Sequence, residues 1–143
     1  MIFVDEKIFR PLNATDEEIV QWAYTPDAQW EEDSDIVLAS LGKNVLILKL
    51  ASDPKCPNRD FFLSCLYILV GDAARTKFRP EDLKPIDELL KKAEKVDDEL
   101  IARWVKRSRE LIASNPPYID YEKWCDGGWV NEDSKATESD RKL

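Results

Sequence analysis

The nearest approach to a reactive group in this sequence is Cys56, which stands just before a predicted helix start with Arg59 three residues on. Both features lower a thiol pKa and favour the nucleophilic thiolate. A thiolate still needs a base or a second thiol beside it. The chain has no histidine, which removes Ser-His and Cys-His pairs, histidine metal sites and the usual general base of neutral pH. Cys65 is separated from Cys56 by eight residues and Cys125 is remote, so neither redox CxxC nor zinc-ribbon spacing is present. Cys56 is therefore expected to be inert or merely oxidisable.

The remaining chemistry is equally thin. Gly42, Gly71, Gly127 and Gly128 are too scattered to cradle a phosphate or a dinucleotide. The acidic run Glu31, Glu32, Asp33, Ser34, Asp35 has the composition of a calcium loop but lacks its glycine and its terminal glutamate. Carboxylate catalysis needs two acids in different environments, and nothing in the spacing selects such a pair. The expectation is a protein that is not an enzyme, with no metal and no cofactor.

One acid has an unusual address. On a helical wheel of residues 59 to 76, Asp72 falls between Phe61 and Cys65, inside the apolar sector. A buried acid needs a charged or hydrogen-bonding partner, and Arg75 or Arg79 is within reach along the helix. A buried structural ion pair of Asp72 with Arg75 is the expectation, in preference to a site-forming acid.

Charge carries the most information. The formal net charge is -8, and residues 1 to 36 hold ten acids against two bases, so residues 37 to 143 hold 19 of each. The acids of that first quarter are interleaved with Trp22, Tyr24 and Trp30. Such a segment steers a basic partner into encounter and offers large apolar anchors for specific contact. The expected partner-binding residues are Glu17, Glu18, Trp22, Tyr24, Trp30, Glu31, Glu32, Asp33 and Asp35. The alternative is that Trp22 points into the core while the acids solvate the outer face. Direct nucleic-acid binding is not expected, because it needs a basic footprint. The one local candidate, Arg103, Lys106, Arg107 and Arg109, is diluted by Asp98, Glu99 and Glu110 and reads as a solvated helix face.

The elements that position these residues are mostly helices. Thr15 followed by Glu18 is a capping-box pattern, so a helix should start there and run to about Tyr24, before Pro26. Residues Met1 to Val4 and Ile8 to Phe9 read as a short edge strand or an arm. Residues 45 to 51 form an apolar run whose periodicity fits a helix or a strand; two short helices parted near Gly42 are preferred. Asn58 is the expected cap of a central helix from Arg59 to Thr76. Pro80 and Pro85 bracket the entry to a shorter helix through Leu89, Leu90 and Ala93. Asp97, Asp98 and Glu99 open an amphipathic helix with Leu100, Ile101, Trp104, Val105, Leu111 and Ile112 on one stripe, stopped by Asn115, Pro116 and Pro117. One further turn is expected within Tyr118 to Trp124. The likeness of residues 16 to 20 to residues 97 to 101 is helix-start chemistry, since the tryptophans that follow fall out of register.

Length and composition suit one domain over residues 1 to 130, followed by a polar tail at 131 to 143. Scarce glycine argues against a hairpin-rich fold. The strongest apolar stretch, Phe61 to Val70, is half of the roughly 20 residues that span a bilayer, and no export signal precedes it. An odd, unpaired set of three cysteines fits a reducing cytoplasm. The reading is an all-α bundle of five or six helices, with or without a short N-terminal strand or arm. It is expected to be a small acidic inhibitor or immunity-type protein that neutralises a basic macromolecule such as a toxin. An adaptor or regulatory subunit is the alternative.

Overall fold

The structure is a computed structural model in which residues 8–125 are described; the Met1 to Val4 part of the expected arm and the expected tail at 131–143 lie outside them. The described chain is mainly helical, with one short pair of strands. The chain divides into two compact units, Met1–Leu66 and Tyr67–Leu143. The boundary falls inside one helix, α4 (Arg59–Arg75), which gives its first half to one unit and its second half to the other.

In the N-terminal unit, β1 (Ile8–Phe9) pairs in parallel with β2 (Gln29–Trp30), in the register Ile8 to Gln29 and Phe9 to Trp30. Between them lies α1 (Asp16–Ala23). Its capping box is complete: the Thr15 hydroxyl accepts from the Glu18 amide at 3.1 Å, and the Glu18 carboxylate accepts from the Thr15 amide at 2.9 Å. Ile19, Trp22 and Ala23 form the buried stripe, at the three- and four-residue spacing of a helix.

α2 (Ser34–Ala39) and α3 (Asn44–Ala51) are the two helices expected around Gly42. Gly42 has a φ of +75°, a conformation that costs a side-chain-bearing residue about 1–2 kcal/mol. In α3 the apolar run resolves as a helix: Val45 and Lys49 face solvent one turn apart, while Ile47, Leu48, Leu50 and Ala51 are buried. Lys43 ion-pairs with Asp16 at the start of α1.

Aromatic rings make the centre of this unit. Phe9 stacks on Trp22 at 4.2 Å, and Phe61 meets both rings edge-on, at 5.6 and 4.9 Å. Asn58 stands immediately before α4, with its carbonyl accepting from the Phe61 amide at 3.1 Å, and its buried side chain reaches back to α1. Its Nδ2 donates to the carbonyls of Trp22, Ala23 and Thr25 at 2.8, 3.1 and 3.0 Å. These are carbonyls at the end of α1, where a helix has no internal donors left, so a buried amide group satisfies them.

In the C-terminal unit, α4 ends with Phe78 N–H bonded to Ala73 O and Lys77 N–H to Ala74 O, a Schellman arrangement with Lys77 at the left-handed position. α5 (Pro80–Ala93) begins on Pro80, where the missing amide proton costs nothing, and buries Ile86, Leu89, Leu90 and Ala93. α6 (Glu99–Ser114) is capped by the Asp98 carboxylate, which accepts from Leu100 and Ile101 amides at 2.9 and 3.1 Å. Its buried stripe is narrower than the sequence suggests: Ile101, Trp104 and Ser108 are fully covered, and Leu100, Val105, Leu111 and Ile112 only half. The short α7 (Tyr121–Cys125) is tied to α4 by Tyr121 OH donating to Asp72 at 2.6 Å and by Trp124 Nε1 donating to Tyr67 O at 2.6 Å.

Those contacts correct the expectation for Asp72. It does lie near Arg75, at 3.9 Å, but the side chains are 48% and 60% exposed, so the pair is a surface one and not buried. What faces Asp72 is a tyrosine hydroxyl and solvent. Arg75 lies over the same Tyr121 ring, 4.6 Å from its centre.

Candidate functional site

The expected binding residues all belong to the N-terminal unit, and the structure sorts them into different roles. Trp22 is core: it is 6% exposed, and its Nε1 donates to Gln29 O at 3.2 Å. Its assignment to the partner surface is corrected to a packing role, because it lies on the same helix stripe as Ile19 and Ala23. Trp30 is the opposite case. It is 47% exposed, yet one side of its ring rests on Phe61 at 5.2 Å and on Trp22 at 6.1 Å, and its backbone is held in β2. A large aromatic that is anchored before binding loses little rotamer freedom on contact.

Tyr24 is also exposed, and its hydroxyl donates to the Asp53 carboxylate. That acceptor, with some desolvation, pushes the Tyr24 phenol up to about 12. The same bond, with the Lys55 amide at 2.8 Å, draws the Asp53 carboxyl down. Tyr24 is thus a fixed, neutral hydroxyl at neutral pH.

The acids divide likewise. Glu18 is committed to the α1 cap, Asp16 to Lys43, and Glu31 to Arg10 at 2.8 Å. Asp35 accepts from the Ile36 amide at 2.9 Å. Glu17, Asp27, Glu32 and Asp33 are exposed and, among the described residues, carry no ion pair. Asp27 and Asp33 hold positive φ angles of 62° and 67°, which Asp tolerates better than most residues. They bracket β2 and keep the carboxylates on either side of Trp30 in fixed backbone positions.

Two adjoining grooves open on this unit. The larger, about 500 Å³, runs between the Ile8 to Ala14 segment and the Glu18, Gln21 and Trp22 side of α1. The second, about 410 Å³, lies between Arg10 to Leu12 and the Glu31 to Val37 stretch. Arg10 and Leu12 border both. Sequence reasoning missed Leu12, which is 64% exposed, and Asp27. An isolated leucine after a proline carries no periodic signal.

The other candidates supply no competing site. The Cys56 thiol is buried, donates to Ala23 O at 3.3 Å, and is pushed up in pKa by that burial despite Arg59. Cys65 is fully buried and pushed well up for the same reason. On α6, Arg103 is paired with Glu99 at 3.1 Å, and Arg109 with Asp87 at 2.7 Å and Glu94 at 3.4 Å, so much of the basic face is spent internally. Among the described residues no three acid, cysteine or histidine side chains gather into a metal-binding group, and no helix is long and apolar enough to cross a membrane. Compared with known proteins, the chain matches no family model, no curated protein and no solved structure.

Proposed function

We propose that this chain is a small acidic cytoplasmic binding protein of the inhibitor or immunity type, which neutralises a basic macromolecular partner such as a toxin through the surface around Trp30. The observation that supports this most is the pairing of a half-exposed, pre-anchored tryptophan with nearby carboxylates that have no ion pair among the described residues, Glu32 and Asp33. Unpaired carboxylates accelerate encounter with a basic surface, and an aromatic anchor slows dissociation once water is excluded around it. Direct binding of nucleic acid is disfavoured on the same charge. Binding rather than catalysis fits thiols that are buried and held protonated.

The test is capture with tagged full-length chain from its own cells, at low and high salt, beside Glu32→Lys with Asp33→Lys. The expected catch is a basic protein retained at low salt, released at high salt and lost in the double variant. Retention unaffected by both would overturn this role for the surface. A second reading, an adaptor or regulatory subunit, draws support from exposed Leu12, Val20, Ile36 and Val45. An assembly built on those aliphatics would hold at high salt.

A further inference from the structure

Within that surface, the smaller groove combines apolar and charged lining. Pro11, Leu12 and Val37 are its apolar lining, and Arg10, Glu31, Glu32 and Ser34 its polar lining. Arg10 engages one oxygen of Glu31 through its Nε at 2.8 Å, so a guanidinium is already accommodated at this edge, while Glu32 carries no ion pair among the described residues. The volume, about 410 Å³, is in the range of sites that enclose a side chain or small ligand.

We propose that this groove seats an arginine side chain of the basic partner, an assignment that rests on the binding reading above. The three methylenes lie against Leu12, Pro11 and Val37, and the guanidinium meets Glu32. Arginine suits this better than lysine for a physical reason. Its planar head is weakly hydrated and presents parallel donors to a carboxylate, whereas an ammonium is a compact, strongly hydrated charge that gains less from apolar walls. The long aliphatic stem covers exposed apolar surface without burying the charge.

The probes are tetra-arginine and tetra-lysine peptides of equal charge, titrated at low salt against the full chain and read by amide and methyl NMR shifts and by calorimetry. Tetra-arginine is expected to bind about fivefold more tightly, near the upper end of what one exposed ion pair supplies. The largest shifts are expected at Leu12, Glu32 and Val37. Glu32→Gln and Leu12→Ser should each remove the preference. Both positions are exposed, so the fold is expected to survive, which circular dichroism checks. Equal affinity for the two peptides, or a preference that survives both substitutions, overturns the arginine seat while leaving a charge-steered partner intact. Failure of both peptides to bind counts against the seat and against the parent reading together.

Discussion

The two units differ in charge balance more than in how they pair their charges. Among the described residues, 67–125 hold twelve acids and twelve bases, whereas 8–66 hold ten acids against five bases. Pairs in the C-terminal unit include Asp82 with Arg79 at 3.0 Å, Asp87 with Arg109 and with Lys91 at 3.3 Å, Glu94 with Arg109, and Glu99 with Arg103, while Glu81, Glu88, Asp97 and Glu110 carry no ion pair among the described residues. In the N-terminal unit Glu17, Asp27, Glu32 and Asp33 remain unneutralised among the described residues. Apolar exposure divides along the same line. Among the described residues, the exposed large hydrophobic side chains are Leu12, Val20, Tyr24, Trp30, Ile36 and Val45 in the first unit, against Tyr118 in the second. A solvated, internally balanced surface has no electrostatic preference for partners, whereas one that leaves acids beside apolar groups does.

The largest effects should come from the two tryptophans that the sequence presents as equivalent. Trp22→Ala removes the ring shared by Phe9, Phe61 and Phe62 and is expected to cost about 3–5 kcal/mol, the usual scale for a buried aromatic. Trp30→Ala should cost only about 1 kcal/mol, because roughly half of its surface is already wet. Denaturant titration measures both. Equal losses would erase the distinction between core and surface on which the candidate site depends.

Charge substitutions come next. Arg109→Ala strips Asp87 and Glu94 of their shared base and should lower stability by at most about 1 kcal/mol, since these half-exposed pairs are screened by solvent. Glu32→Gln, which breaks no pair, should leave stability unchanged. Acid pH sharpens this contrast. Arg109 and Lys91 hold the Asp87 carboxyl below its ordinary value, so its contribution is present above the unfolded carboxylate pKa and is lost as pH falls through the folded one. Stability followed from neutral to acid pH should therefore decline less steeply in Arg109→Ala than in the parent. An identical decline would mean that the C-terminal pairs are not energetically coupled to folding.

Backbone conformation gives a smaller difference of the same kind. Left-handed residues in the N-terminal unit include Asn13, Asp27 and Asp33, types that accept positive φ, whereas the C-terminal unit, besides Asn115, places Lys77 and Phe78 there, at 60° and 53°. Lys77→Gly should stabilise by about 0.5 kcal/mol, the relief of the left-handed position less the added chain entropy of glycine. It also gives up the Lys77 Nζ bond to Pro117 O at 2.5 Å. A loss measured by thermal unfolding would show that this bond outweighs the backbone term.

Most helices were legible because their signals are local. Thr15 and Glu18, Gly42, Asp98, and Asn115 before two prolines each act within a turn of the chain, and each bounds a helix as expected. The partner of β1 was not legible, since a two-residue parallel pairing joins segments about 20 residues apart and leaves no periodicity in either. Asp72 failed for a different reason. A wheel places a residue on a helix face but cannot say whether that face is covered, and near the end of α4 the cover is the Tyr121 hydroxyl with open solvent. The acidity of residues 1 to 36 was legible as a sum, but not which acids stay unpaired, because Lys43 and Arg10 reach Asp16 and Glu31 only through the tertiary fold.

The smallest effect, visible as a titration only at alkaline pH, concerns Asp53, an acid that the N-terminal unit holds with a phenol and the Lys55 backbone amide. Tyr24 is raised from 10.0 to about 12 by that bond. A raised folded pKa means that the folded protein retains a proton that the unfolded chain has released. The contribution is thus fully present below pH 10 and disappears as pH rises through about 12. Absorbance of the phenolate band should place one tyrosine near 12, and Asp53→Asn should bring it back towards 10 by removing the charged acceptor while keeping the side-chain shape. A Tyr24 that ionises near 10 in the parent would mean the hydroxyl is not fixed on Asp53. Asp53 would then lack its phenol partner, and the acidic surface would extend to Asp53 beyond the four carboxylates counted above.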